Sequence, residues 1–229
     1  MKNWLLLLLL VMAGHTLASE TVKLEKAPVN LHDMASLQRG AKTFVNYCVS
    51  CHSASMMRYS HFTKLGFSEK QIKEELMYTT EKTGETMVVA MTQADAKRWL
   101  GMPPPDLTLE ARARGSDWIY TYLKSFYRDS SRPNGWNNAI FPGAAMPHVL
   151  HHFQGIQDKK DGKLVLAEQG ELSPQEYDQM VGDLVNFMTY MAEPVRTLRE
   201  KMGLYILSFV ALFGIFAYLL KREIWKDVH

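Results

Sequence analysis

The sequence predicts a mainly α-helical domain with long ordered loops and one small β-hairpin, followed by a single C-terminal transmembrane helix. Helical spacing of apolar residues dominates the middle of the 229-residue chain. The clearest example is a helix that begins with a capping box at Ser173 and Glu176 and ends before Pro194. The hairpin is indicated by the turn dipeptide Asp161-Gly162.

The chain begins with the features of a secretory signal peptide. Lys2 precedes an apolar run over residues 4–13, which is too short to span a bilayer. Thr16-Leu17-Ala18 then offers small residues at the positions that a cleavage site requires. Residues 1–18 are therefore predicted to form a cleaved signal peptide. An uncleaved N-terminal anchor is the alternative interpretation of this segment.

The predicted transmembrane helix covers residues 202–220, which contain no charged side chain. About 20 apolar residues are needed to cross the hydrocarbon core of a bilayer. Basic residues flank both ends, so the positive-inside rule alone does not decide the orientation. Export by the signal peptide does decide it: residues 19–200 are expected outside the cytoplasm and residues 221–229 inside. A buried core helix is the alternative.

Five helices are predicted in the exported part. Asn30 is expected to cap the first, whose apolar face leads through Phe44 to Cys48. Ser68 and Thr92 are expected to cap the second and third. The other predicted boundaries are residues 117–126 for the fourth helix, the Ser173 capping box for the fifth, 155–157 and 164–166 for the hairpin strands, and 101–105 and 130–147 for the two main loops.

The charge of the exported part gives no argument for nucleic-acid binding. Residues 20–203 carry 22 acidic and 22 basic side chains. Residues 164–195, however, contain six acidic side chains and no Lys or Arg. Such a run is either a solvated helix face or an acidic surface that attracts a basic partner.

The sequence Cys-Val-Ser-Cys-His at residues 48–52 is the attachment signature of c-type haem. Each thiol adds to one haem vinyl group, and the two residues between them let one helical turn span both bonds. His52, next to the second cysteine, then reaches the iron as an axial ligand. One covalent haem c bound through Cys48 and Cys51 is therefore predicted.

Two other chemistries use paired cysteines. A thiol–disulfide oxidoreductase places its Cys-x-x-Cys in a βαβ setting at a helix start, whereas Cys48 lies at the end of a predicted helix. A zinc site needs a fourth ligand and usually a second cysteine pair, and the chain has only two cysteines. Both alternatives are therefore less favoured than haem.

A sixth ligand must come from elsewhere in the chain. Met102 and Met146 both stand in loops directly before proline. Met146 follows Gly143, which permits a tight approach, and precedes Pro147, which stiffens the exit, so it is the preferred candidate. Ligation by His and Met closes both axial positions and suits electron transfer. His148, His151 and His152 are nearby alternatives, for which packing or surface roles are favoured.

With these motifs in place, nearly the whole mature chain resembles the cytochrome c1 family, the membrane-anchored haem subunit of quinol–cytochrome c oxidoreductase. The resemblance rests on "CVSCHS", on "PPPDLTLEARAR" at residues 103–114, on "FPGAAMPHVL" at residues 141–150 and on "DLVNFMTYMAEP" at residues 183–194, followed by one anchor helix. It implies a cytochrome c-like haem domain. The "MPHVL" form is similar to that of bacterial members, which implies a periplasmic domain anchored in the bacterial inner membrane.

The resemblance also implies residue roles. Cys48 and Cys51 would bind the haem covalently, and His52 and Met146 would be its axial ligands. Pro105 would pack beside the macrocycle, and Arg114 would pair with a haem propionate. The chain departs from the family at Trp118, where Tyr is usual, and at residues 137–143, which lack an Asn-Pro-Tyr sequence.

The resemblance implies a one-electron relay rather than an enzyme. The partners it implies are cytochrome b, a Rieske iron–sulfur protein as donor and a cytochrome c as acceptor. Three alternatives remain open: a haem c subunit of another membrane oxidase or dehydrogenase, a haem peroxidase or ligand sensor, and a membrane-tethered thiol oxidoreductase.

Overall fold

A computed structural model describes residues 23–227, so the predicted signal peptide lies outside the described part of the chain. The α-helices are α1 Met34–Tyr47, α2 Glu69–Gln71, α3 Gln93–Leu100, α4 Glu110–Ala113, α5 Ser116–Lys124, α6 His151–Gln154, α7 Pro174–Ala192 and α8 Arg196–Ile224. A 3-10 helix covers Tyr59–Leu65, and a π-helical turn over Ile72–Leu76 continues α2. The strands are β1 Ala54–Arg58, β2 Thr86–Met87, β3 Phe126–Arg128, β4 Trp136–Asn138, β5 Gly155–Lys160 and β6 Lys163–Gln169. The predicted class, mainly helical with long loops, is confirmed.

The core forms where α1 crosses α7. Gly40 on α1 lies so close to α7 that a Cβ there would overlap the backbone carbonyl of Asp183 and come within 2.8 Å of the Phe187 Cβ. One turn further along, the rings of Phe44 and Phe187 pack with their centroids 5.4 Å apart. Beside the crossing, Arg39 donates two hydrogen bonds of 2.6 and 3.1 Å to the buried carboxylate of Asp183.

The first helix begins later than predicted. Its N-cap is Asp33, whose carboxylate accepts a hydrogen bond from the Ser36 N–H. Asn30 instead forms two backbone hydrogen bonds with the side chain of Asn186 on α7, at 3.0 and 2.9 Å. The prediction that Asn30 caps α1 is therefore wrong: its side chain accepts from the His32 N–H at 3.0 Å, before the helix begins, and its backbone is bound by Asn186.

Caps that depend only on neighbouring residues are where the sequence placed them. Ser173 and Glu176 form a capping box at the start of α7, and Ser68 forms one at the start of α2. Thr92 caps α3, which ends at Leu100. The predicted helix over 117–126 is two residues too long, because α5 ends at Lys124 and Phe126 pairs with Asn138 in a strand.

The described residues contain three separate antiparallel strand pairs rather than the single predicted hairpin. The predicted pair exists as β5 and β6 and is longer than expected, with its turn at Asp161-Gly162. Strand β1 follows the cysteine motif and pairs with β2, and β3 pairs with β4. These strands are short, the partners in β1–β2 are distant in sequence, and the loop over residues 129–135 that joins β3 to β4 is longer than a tight hairpin turn, so no hairpin pattern marks either pair.

The acidic run at 164–195 is largely neutralised inside the domain. Asp183 binds Arg39, Asp178 binds Lys124, Glu168 binds Arg128 and Glu193 binds Arg199. A fifth acidic residue, Glu176, bonds the Ser173 N–H and hydroxyl in its capping box. This pattern favours the interpretation as a solvated, internally paired face over an acidic docking surface.

The C-terminal helix α8 passes the length and composition test for a membrane span. It has 29 residues with a mean hydropathy of 2.2 in its most apolar window, and none of that window is buried against the rest of the described chain. Residues 202–220 therefore do not form a buried core helix.

We expect Gly40→Ala to destabilise the haem-loaded full-length chain, because a methyl group cannot enter the α1–α7 crossing without separating the helices. Overpacking of this kind costs about 1–3 kcal/mol, or a fall of roughly 3–10 °C in melting temperature for a domain of this size. Thermal unfolding in detergent measures it.

Gly203→Ala is the matched control, because Gly203 is also helical but has no atom within 4 Å of an added Cβ. Both substitutions carry the same gain in helix propensity. Equal melting temperatures for the two variants would contradict the crossing as described.

Candidate haem site

The cysteine motif forms a tight turn at the end of α1. Cys48 caps the helix by donating its N–H to the Phe44 carbonyl at 2.9 Å. The N–H groups of Cys51 and His52 both donate to the Cys48 carbonyl, at 3.1 and 2.8 Å. One turn of backbone therefore presents both thiols and the imidazole together. Both cysteines are free, with no disulfide between them.

The two thiols lie half-buried beside the core. Burial, with a smaller contribution from Cys51, raises the pKa of the Cys48 thiol to about 12. A thiol with a raised pKa is a poor nucleophile, which is the opposite of what a thiol–disulfide oxidoreductase needs. The strand pairs are all antiparallel, so the described residues also lack the βαβ setting of that class.

The His52 ring is oriented by a single backbone contact. Its Nδ1 lies 2.8 Å from the Pro105 carbonyl oxygen, which can only accept, so Nδ1 carries the proton and Nε2 is left with a free lone pair. Burial lowers the pKa of His52, with the Pro105 hydrogen bond opposing that shift. A neutral imidazole with a bonded Nδ1–H is the form that ligates metals through Nε2.

The segment carrying Pro105 is fastened to the chain just after the motif. The Leu107 N–H donates to the Ser53 carbonyl at 2.8 Å. The Asp106 carboxylate accepts from the Ser55 N–H at 2.8 Å and from the N–H and hydroxyl of Thr108 at 2.9 and 2.6 Å. These contacts give each part of Pro-Pro-Asp-Leu-Thr a function. The prolines stiffen the segment, and the hydrogen bonds of Asp106 and Leu107 fix its position relative to the residues that follow the haem motif.

Three aromatic side chains pack together beside Arg114. The Trp118 ring stacks on Tyr122 at 4.9 Å, and Phe141 meets both rings edge-on. The Arg114 guanidinium lies 4.5 Å above the Trp118 ring and donates from Nε to the Glu110 carboxylate at 2.9 Å. Thus the structure gives Arg114 a carboxylate partner, and Trp118 serves as a flat support for the guanidinium.

The loop that carries Met146 has little regular structure, yet polar side chains hold it in place. Arg132 donates to the Gly143 carbonyl, Asn134 donates to the Ala145 carbonyl, and the Asn137 side chain accepts from the Gly143 N–H, all at 2.8–2.9 Å. Gly143 has φ of +82°, which explains the glycine by backbone conformation rather than by close approach. Met146 itself is half-buried against the core.

Met102, the other loop methionine, is in a different position. Its side chain is 55% exposed, and it lies three residues before Pro105 on the segment that contacts His52. A ligand on the same segment as the His52 contact is poorly placed to reach the opposite side of a haem. The roles of Met146, Pro105 and Arg114 stay predictions.

Sequence reasoning missed the structural importance of His148. It is 2% exposed, and its ring lies parallel to Phe126 at 5.1 Å and edge-on to Trp136 at 5.2 Å. Burial lowers its pKa to about 4. The sequence favoured a packing or surface role for the histidines after Met146 without choosing between them, and His148 has the packing role. The packing fixes the chain two residues beyond Met146.

The donor set fits haem c. Two free thiols on one turn, an imidazole with an available Nε2 and a thioether in a held loop are the groups that covalent attachment and His/Met ligation require. Within residues 23–227, no group of three or more His, Cys, Asp or Glu side chains is arranged to hold a metal ion, which opposes the zinc alternative. The domain therefore has the features of a c-type cytochrome.

The family follows from comparison with known proteins. The model described as "Cytochrome C1 family" matches residues 24–228, and the chain belongs to that family. It is 50% identical to cytochrome c1 of Allochromatium vinosum, over 90% of each chain. It is also 48% identical to a protein named ammonia monooxygenase gamma subunit from Nitrosomonas europaea, over 98% of this chain and 97% of that one.

A solved structure titled "Hyperthermophilic respiratory Complex III" covers 99% of this chain and all of its own, at 17% identity and a TM-score of 0.44, which is too weak to support an inference. Family membership confirms the resemblance found in the sequence. The chain is a membrane-anchored haem c subunit of quinol–cytochrome c oxidoreductase, and it transfers electrons rather than acting as an enzyme alone.

The Asp106 contacts generate a pH-dependent prediction. Although burial tends to raise the pKa of this carboxyl, hydrogen bonds from Thr108 and Ser55 together hold it below its usual value of 3.8. Because the folded pKa is the lower one, the stabilisation is complete above pH 3.8 and is lost as the pH falls through the folded pKa.

We therefore expect Asp106→Asn to lower the free energy of unfolding by about 1 kcal/mol at pH 7, because solvent screens the exposed part of the carboxylate. The difference from wild type should shrink as the pH falls below 3.8. Urea unfolding midpoints at pH 7, 5 and 3 measure it. Asp161→Asn, in the hairpin turn, is the control, and a pH-independent deficit in Asp106→Asn would refute the carboxylate explanation.

Proposed function

We propose that this chain carries single electrons from a Rieske iron–sulfur protein to a cytochrome c acceptor, through one haem c bound covalently at Cys48 and Cys51. The observation that carries the proposal is the His52 geometry: an imidazole with Nδ1 fixed on the Pro105 carbonyl, next to two free thiols on one helical turn. When bound, haem c supplies a one-electron iron couple.

The residues of the chain would position and insulate that couple. His52 would ligate through Nε2, and the Pro105 hydrogen bond would keep the ring in one tautomer and orientation. Met146 would ligate from its held loop and close the sixth position against small molecules. Closure of both axial positions favours electron transfer over the peroxidase or sensor alternative.

Pro105 and Arg114 would act at the rim of the cofactor. The carbonyl of Pro105 is already committed to His52, so its ring is what remains to pack beside a macrocycle. Arg114 donates Nε to Glu110, which leaves its other N–H groups for a propionate. Its guanidinium is held by the Trp118 face, so a carboxylate would meet a pre-oriented fork.

The proposed topology has four parts. Residues 1–18 are a cleaved signal peptide, 19–200 the periplasmic haem domain, 202–220 the span across the bacterial inner membrane, and 221–229 the cytoplasmic tail. Support comes from the apolar helix α8 and from the need to attach haem c outside the cytoplasm. Cytochrome b would contact the anchor within the membrane complex.

Met146→Ala in the purified haem-loaded protein tests the ligand assignment. We expect loss of the low-spin His/Met spectrum, because the variant has no thioether at that position, and binding of carbon monoxide by the reduced variant at the vacated position. Visible absorption spectra of both oxidation states measure this. Met102→Ala is the matched control and should keep the wild-type spectrum. The reverse result, with Met102→Ala losing the spectrum, would transfer the role to Met102.

A second function is favoured by one comparison. The relative named ammonia monooxygenase gamma subunit is nearly as similar as the cytochrome c1 of Allochromatium vinosum. The alternative is a haem c subunit of another membrane oxidase, with the same ligands and a different donor.

Purification of the chain with its membrane complex separates the two. We expect cytochrome b and a Rieske protein to co-purify, and quinol to reduce the haem of the isolated complex, because the family's haem accepts electrons within that assembly. Mass spectrometry of the subunits and the haem reduction spectrum are the measurements. Recovery with oxidase subunits and without a Rieske protein would favour the alternative, while leaving the Met146 assignment intact.

A further inference from the structure

A small cavity lies where the haem domain joins its anchor helix. Its volume is about 70 Å³, and two alanines line it together with Arg112, Ser116, Thr189, Glu193 and Arg196. A single water requires only ~10–15 Å³ of such space, so the cavity has room for a larger polar group. The lining residues come from α4, α5, the end of α7 and the start of α8, which makes it a junction of four elements.

The charge around this cavity is positive. The charged residues that line it, Arg112, Arg196 and Glu193, sum to +1, and the partners Arg199 and Glu200 leave that sum unchanged. Arg199 donates two hydrogen bonds to Glu193, at 2.6 and 3.2 Å, and Arg196 donates one of 2.8 Å to Glu200.

Arg112 is the cation with the weakest partner. Its guanidinium lies 3.7 Å from the Glu193 carboxylate, which Arg199 already engages at shorter distances, and its side chain is 67% exposed. The exposed i,i+4 pair of Arg196 with Glu200 is also a weak interaction, open to exchange. The guanidinium groups of Arg112 and Arg196 therefore both line the cavity, and neither forms a strong ion pair with a carboxylate.

If residues 202–220 span the membrane as proposed above, the cavity stands at the level of the lipid headgroups. The charge-free stretch at 202–220 rises about 28 Å as a helix, which matches the ~30 Å hydrocarbon core. Arg199 then lies about 4–5 Å beyond that core and Arg196 about 9 Å beyond it, within and just above the headgroup layer. An arginine side chain is long enough to reach down across that difference. A phosphodiester is the anion present at this depth.

We propose that this cavity binds the phosphate of an anionic phospholipid, held by the forks of Arg112 and Arg196 and by the Ser116 hydroxyl. Arg forks recognise phosphate by paired N–H···O bonds, and the hydroxyl adds a third donor. Glu193 does not oppose binding, because its charge is balanced by Arg199. The lipid would then fix the angle between the haem domain and its anchor, since it joins α4 to α8.

The test uses the full-length haem-loaded chain in nanodiscs of phosphatidylcholine, with or without phosphatidylglycerol. Native mass spectrometry counts retained lipid. We expect preferential retention of phosphatidylglycerol by the wild type, and a loss of that preference of about tenfold in the double variant Arg112→Gln/Arg196→Gln. Lys97→Gln/Arg98→Gln removes the same charge from the exposed end of α3 and is expected to keep the preference.

The haem spectrum verifies that each variant is folded. Equal retention of both lipids by the wild type would overturn the proposal, as would an equal loss of preference in the α3 control. Addition of millimolar inorganic phosphate to phosphatidylcholine nanodiscs separates the sources of phosphate. Displacement of the bound lipid by phosphate alone would show a site for free anions and overturn the lipid assignment.

Discussion

The crossing of α1 and α7 at Gly40 is the contact on which the haem site depends. Because Gly40 has no side chain, the α1 backbone can approach the Asp183 carbonyl, and the Arg39–Asp183 pair and the Phe44–Phe187 contact then fix the helices from two sides. Cys48 caps α1, so the position of the helix sets the position of both thiols and of His52. The packing of the core therefore determines where the proposed haem-binding side chains lie at the end of α1.

A second constraint fixes the motif from outside the helix. Proline has no backbone N–H, so a run of three prolines offers carbonyl groups without competing donors. The last of these carbonyls, that of Pro105, accepts from His52, and the next residue, Asp106, binds the Ser55 N–H. The imidazole is therefore held between the end of α1 and a stiff segment more than fifty residues later. The contacts of Pro105 with His52 and of Asp106 with Ser55 explain why the Pro-Pro-Asp-Leu-Thr motif is needed, which the sequence alone does not show.

What the sequence could predict was set by local chemistry. The capping boxes at Ser68 and Ser173 involve residues three apart, and the geometry of Cys-x-x-Cys-His is set within five residues. Both could therefore be predicted without knowledge of the fold. Asn30 is not the cap because its side chain turns back to the His32 N–H, while Asn186 of α7 holds its backbone ahead of the helix. The strand pair β1–β2, the neutralised acidic run and the burial of His148 likewise depend on tertiary partners. Periodicity and composition contain no information about those.

The two proposed axial ligands are held by different means, and this bears on the choice between the loop methionines. His52 comes from a helix end and a proline segment, whereas Met146 comes from a loop fixed by Arg132, Asn134 and Asn137. Met102 belongs to the proline segment, so any movement that carried it across a haem would pull Pro105 away from His52. One segment cannot supply both the contact behind the first ligand and the second ligand itself. The separate support of its loop is the physical argument for Met146.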